Sequence, residues 1–174
     1  MSTLTPLVRI AAVACALLLA ACSPKYDWRE VRGGGAPFIV TLPGKPASHT
    51  REINLDGLPI AMTMTAAEVD NVTFAVGAAK LADAAQSPKA LNAMKTALVR
   101  NIGGTLRHEQ ADAAPATIAI EASGPPASGR GEPRLLLARF HAKDNFIYQV
   151  IVVGPEKNVS REAADTFFTS FKPD

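Results

Sequence analysis

The chain has 174 residues, 20% of them charged, and a net charge of +2, which suits one folded domain and leaves no basic footprint for nucleic acid or an anionic lipid surface. Arg9 is the only Lys or Arg ahead of Cys22, so the chain from Cys22 onward stays near neutrality. Of the two cysteines, Cys15 lies inside an apolar run and Cys22 closes it, so no disulfide, thiol nucleophile or cysteine metal site is expected downstream.

Residues 10–21 form 12 consecutive apolar residues behind Arg9. That is the length of a signal-peptide core and well short of the roughly 20 residues a spanning helix needs. A conventional cut before Cys22 would put the bulky Leu19 where a small residue belongs. Leu19-Ala20-Ala21-Cys22 instead resembles the lipobox of bacterial lipoproteins. The resemblance implies cleavage ahead of Cys22, a thioether-linked diacylglycerol on its sulfur and an acylated amino terminus. Two or more acyl chains make a durable anchor, at about 0.8 kcal/mol per buried methylene. Ser23 follows the cysteine where aspartate would favour inner-membrane retention, so the resemblance implies the outer membrane, with the domain facing the periplasm and the inner membrane as the alternative. An unmodified Cys22 beside a conventional cut is the competing possibility. The expected division is a signal peptide over 1–21, a lipidated N-terminus and tether over 22–35, and a single α/β globular domain over 36–174.

Tyr26-Asp27-Trp28-Arg29-Glu30-Val31 holds the single tryptophan and reads as a short helical turn laying Trp28 on the domain surface, with a ligand-contacting aromatic as the alternative. Gly33-Gly34-Gly35 then separates tether from domain. Residues 37–42 are β-rich and stop at Pro43-Gly44-Lys45-Pro46. Gly44-Lys45 is not a phosphate loop, because Ile39 stands where the first glycine belongs and Pro46 where the magnesium-meeting hydroxyl does.

Residues 51–55 and 58–66 flank Asp56-Gly57, a two-residue hairpin signal. Ile60, Met62 and Met64 alternate with Ala61, Thr63 and Thr65, which predicts a half-buried antiparallel strand with the methionines as core filler. Residues 72–76 form another strand after an Asp70-Asn71 turn. Ser87-Pro88 opens a helix with Ser87 as N-cap; Leu91, Met94, Leu98 and Ile102 share its inner face, and Gly103-Gly104 end it.

Short strands are expected over 105–109 and 116–121 around an Asp/Ala/Pro turn, followed by an exposed Gly/Pro loop over 124–133. Two more strands, 134–142 and 145–153, are joined at Lys143-Asp144. The second is nearly continuous in apolar residues, as a central strand covered on both faces should be. Ser160 N-caps a last helix with Glu162 near its positive end. Ala164, Phe167, Phe168 and Phe171 supply the stripe that docks it onto the sheet.

No G-x-S-x-G elbow occurs, and His49, His108 and His141 fit no metal-ligand spacing. His108-Glu109, or His141 with Asp144, would form a metal pair only if the fold converged them. A glycosidase pair of carboxylates can come from anywhere in a chain, and nothing here favours one. No catalytic, cofactor-binding or metal-ligating residue is therefore expected, and the one site residue is Cys22, through its lipid.

Phe38-x-Val40-x-Leu42-Pro43-Gly44-Lys45-Pro46 resembles the F-x-V-x-[FL]-P-x-x-P opening of small bacterial proteins related to the PsbP/Mog1-like fold. Residues 146–154 and the closing Phe167-Phe168-Thr169-Ser170-Phe171 resemble that group's aromatic strand and terminal F-x-x-S-F. The resemblance spans about residues 26–172. It implies an α/β (α+β) fold, an α/β/α sandwich on an antiparallel sheet, and a binding or assembly role, and it carries over no catalytic residue. The expected function is a membrane-anchored, non-catalytic binding or assembly module of the cell envelope. Its partners are the membrane, through the lipid on Cys22, and an unidentified envelope protein, with no nucleic acid and no cofactor. A hydrolase and a small-ligand or lipid carrier are the competing classes. The first needs a histidine within hydrogen-bond reach of a carboxylate in a concave site; the second needs an apolar pocket in place of a filled core.

Overall fold

The computed structural model describes residues 24–112 and 117–174; Cys22 with its lipobox, and residues 113–116 of the Asp/Ala/Pro turn, lie outside them. The described chain forms ten strands and two helices. Strands β1 (Arg29–Arg32), β2 (Phe38–Leu42) and β10 (Lys172–Pro173) make a small sheet in the order β1-β2-β10. The large sheet holds β3 (Ala47–Leu55), β4 (Leu58–Val69), β5 (Val72–Lys80), β6 (Thr105–Asp112), β7 (Thr117–Gly124), β8 (Arg134–Lys143) and β9 (Phe146–Pro155). Its order is β3-β4-β5-β9-β8-β7-β6, antiparallel throughout, with β9 in the middle as its continuous apolar run predicts.

Tight turns set the register. Asp56 and Gly57 have φ of 52° and 88°, and Asp70 and Asn71 have 52° and 61°. Both central residues are left-handed, as a two-residue hairpin that follows the strand twist requires. At the β8–β9 hairpin Lys143 pairs with Phe146, so the turn is Asp144-Asn145, one residue later than expected.

Helix α1 (Ser87–Asn101) begins differently from its sequence signal. Ser87 is already helical, and its hydroxyl is buried without a partner among the described residues. The cap is Asp83, which accepts from the Ala85 amide at 2.9 Å and starts a 3-10 turn that runs into the helix. Pro88 occupies the first turn, where no backbone donor is needed. At the other end the Gly103 N–H reaches the Arg100 carbonyl at 2.8 Å and the Gly104 N–H reaches Val99 at 3.0 Å. This is the paired closure that a left-handed Gly103, φ 57°, permits. Helix α2 (Arg161–Ser170) is capped by Ser160, whose hydroxyl accepts from the Ala163 amide at 3.2 Å. Among the described residues no helix is long and apolar enough to cross a membrane.

The segment 26–31 is not helical. Val31 alone turns inward from β1, in strand alternation, and pairs with Val40 of β2, while Trp28 packs on Tyr26 at a ring distance of 5.5 Å. A strand of the folded unit therefore lies inside the stretch expected to be tether. Lys172-Pro173 does more than stop α2: it pairs with Ile39 and Phe38 of β2. The result is a mixed α+β fold, a large antiparallel sheet with a helix on each face. The small sheet and α2 cover one face through Phe38, Val40, Leu42, Phe74, Tyr148 and Phe167; α1 covers the other through Leu91 and Met94.

Candidate functional site

The structure does not bring the three histidines together. His49 stands on β3 and His108 on β6, the two opposite edges of the large sheet, both exposed. His141, on β8, is half-buried with its ring 5.2 Å from that of Phe171. Burial, and then the charge of Arg139, push its pKa down to about 4. No group of three His, Cys, Asp or Glu side chains among the described residues is placed to hold a metal.

The densest charged cluster lies where α2 meets the sheet. A bulge in β6 between Leu106 and His108 inserts Arg107, and such an extra residue re-aims a side chain. Its guanidinium grips Glu156 at 2.6 and 3.1 Å and donates to the Ser123 hydroxyl at 2.8 Å. Arg161 grips Glu121 at 2.7 and 3.0 Å. Arg161 is the first residue of α2, the end where the helix dipole disfavours a cation, and Glu121 offsets that. The Arg161 hydrogen bonds hold the Glu121 carboxyl below its usual range, and Arg107 does the same for Glu156. With each partner engaged, this cluster works as a clamp.

A different arrangement lies on the α1 face beside β3. Cross-strand pairing sets His49, Met64, Gly77 and Gln149 in one row across β3, β4, β5 and β9. Arg51 and Met62 face each other in the neighbouring pair. With Leu98 and Asn101 from the last turns of α1 as a wall, these residues enclose a cleft of about 490 Å³, within the roughly 300–1,000 Å³ of small-molecule sites. Ile53, Met62, Met64, Leu98 and Ile151 make most of its lining apolar.

Gly77 shapes the floor. A Cβ there would sit 2.6 Å from the Met64 sulfur and 2.7 Å from Gln149 Cγ, so only glycine lets these two side chains meet over the strand. They meet through a hydrogen bond from Gln149 Nε2 to Met64 Sδ, at 3.4 Å. Gln149 is only 8% exposed, and a thioether is a weak acceptor. Among the described residues its carboxamide makes no other hydrogen bond. The two methionines predicted as filler thus do different work: Met62 is buried and packs the base of the cleft, while half-buried Met64 holds a polar group at its edge. Sequence reasoning missed Gln149. Its signal was an amide inside the apolar run of the central strand.

No family model matches the chain, and no curated protein matches it. A crystal structure from Bacteroides thetaiotaomicron VPI-5482 is similar over 87% of this chain and 49% of its own, at 11% identity and a TM-score of 0.46, so the chain spans about half the length of that protein.

Proposed function

We propose that this protein is a lipoprotein of the cell envelope, anchored to the outer membrane through a lipid on Cys22, whose periplasmic domain is a non-catalytic binding module working through the cleft beside α1. The anchor is supported by Leu19-Ala20-Ala21-Cys22 at the end of its apolar run. The binding role is carried by one observation: Gln149, more than nine-tenths buried, gives its amide to a sulfur at the edge of an apolar cleft. Burying a carboxamide without good partners costs free energy, so an apolar residue would fill that position better. A few polar groups placed in an apolar lining are what orient a bound molecule. The PsbP/Mog1-like resemblance implies a binding or assembly role for the same kind of sandwich and supports this assignment.

Two measurements test the two halves. In a bacterial host fed an alkyne-tagged palmitate, the wild-type protein should take the label and sediment with membranes, and Cys22→Ala should lose both; a variant that keeps both overturns the anchor. A photo-crosslinking residue placed at Asn101 in intact cells should give a discrete adduct that the same residue at exposed Glu30, on β1, does not. Equal adducts from both positions would overturn the cleft as the binding surface.

A further inference from the structure

Building on the cleft as the binding surface, we infer that its ligand is a small amphiphile: an apolar tail on the methionine floor and an anionic head at Arg51. The polar lining consists of His49, Arg51, Asn101 and Gln149, and contains no carboxylate. Arg29, Arg32, Arg107 and Arg161 each reach a carboxylate. Arg51 makes no such pair among the described residues, and neither do Arg100, Arg130, Arg134 and Arg139, but of these five Arg51 alone lines the cleft. The adjacent Glu52 is turned to the opposite face by strand alternation, so the carboxylate next to Arg51 in the sequence does not face it.

A guanidinium is a planar fork of donors that matches a carboxylate bidentately. Arg51 pairs across the strands with Met62, next to the His49–Met64 pair, so this fork stands over the apolar floor. Met62 and Met64 bring flexible, polarisable side chains that accommodate chains of varied shape. Gln149 adds a deeper donor and acceptor, which suits a ligand with a polar group at one end and none along its length. A cationic or purely apolar ligand would leave Arg51 unused.

The methionines report on this directly. In the full-length protein carrying Cys22→Ala and labelled with methyl-13C methionine, Met62 and Met64 line the cleft, while Met94, buried on the inner face of α1 and outside the cleft lining, is an internal control. Decanoate should shift the Met62 and Met64 methyl signals and leave Met94 in place. Methyl decanoate and decylammonium, with the same tail, should bind at least tenfold more weakly. Arg51→Gln should weaken decanoate about tenfold and close the gap to the ester, with an unchanged Met94 signal showing that the fold is kept. Ester or ammonium binding as tight as decanoate, or an unchanged decanoate affinity in Arg51→Gln, overturns the anionic head. If no probe moves Met62 or Met64 while the Asn101 crosslink persists in cells, the ligand class is wrong and the binding surface stands. If both are silent, the surface falls too.

Discussion

The two faces of the large sheet are closed by different means. Seven strands, spaced by about 4.8 Å, present a face roughly 29 Å wide, and one helix is about 10 Å across. On the α2 side the small sheet shares the work, and nine of the ten aromatic residues pack there, leaving Phe140 alone on the other face. On the α1 side a single helix crosses the middle of the sheet, and Met62, Met64 and Met94 are all found there. Flat rings under two covering elements fill one face. One helix over flexible side chains leaves a strip beside β3 unfilled, and the cleft is that strip.

The sharpest way to break this contrast is to delete one side chain from each face. Phe167 is fully buried and meets Phe74 edge to face at 5.6 Å. Phe167→Ala should cost about 3–5 kcal/mol in a urea titration. Leu98, half-buried on the cleft wall, already faces open space, so Leu98→Ala should cost about 1 kcal/mol. Equal losses would mean that the cleft is packed core.

The filled face also carries a pH signature. His141 has a folded pKa near 4 against an ordinary 6.5, lowered by burial and secondarily by Arg139. The unfolded chain therefore takes up this proton first. Stability from the neutral ring is complete above about pH 6.5 and is lost as the pH falls toward 4. At 1.36 kcal/mol per unit the full effect is about 3 kcal/mol, and partial exposure of the ring reduces it to about 1–2 kcal/mol. His141→Gln should flatten the stability curve between pH 6.5 and 4; an unchanged slope would show that the ring is solvated.

How far the sequence carries differs between the faces for the same reason. The filled face is built from contiguous signals: the apolar run of β9, the Phe167–Phe168–Phe171 stripe and the Ser160 cap are each visible within a few residues. The hairpins are equally local, since Asp56-Gly57 and Asp70-Asn71 fix their own conformations. What was hidden depends on pairing. β1 has four residues, too few for a periodicity to declare itself. β3 was expected to start at 51, but it begins at Ala47, because its outer half is a polar edge held by Ser48 to Thr65 and Thr50 to Thr63 hydroxyl bonds of 2.8 Å each. The cleft lies at the far end of this scale. Met62 and Met64 were legible as one face of a strand. That Gly77 brings Met64 to Gln149 is a fact of register across three strands, and no local pattern records it.

A smaller effect probes how the small sheet is held. Tyr148, in the central strand, is fully buried and donates its hydroxyl to the Pro37 carbonyl at 2.8 Å. Burial, then the charges of Asp144 and Asp174, push its pKa up to about 12. Tyr148→Phe keeps the ring and strands the carbonyl, which should cost about 1–2 kcal/mol in the same urea titration. Near-zero loss would mean that water replaces the phenol and that the joint between the sheets is wetter than the rest of this face.

The smallest expected difference compares how the two helices are pinned. α2 is held by the bidentate Arg161–Glu121 pair, which is backed by Arg107 at 3.7 Å. α1 is held from its flank by the single Lys95–Glu109 contact of 2.7 Å. Exposed ion pairs contribute about 0.2–1 kcal/mol and are screened by salt. Glu121 serves two guanidiniums, where Glu109 meets one ammonium, so Glu121→Gln should fall near the upper end of that range, at about 1 kcal/mol. Glu109→Gln should fall near the lower end. Raising the salt toward 1 M should shrink the Glu121→Gln loss and leave Glu109→Gln where it was, because little was there to screen. The reverse ranking would place the tighter pin on α1, and a firmly pinned α1 with its cleft still open would show that the unfilled strip follows from the width of the sheet and not from looseness of the helix.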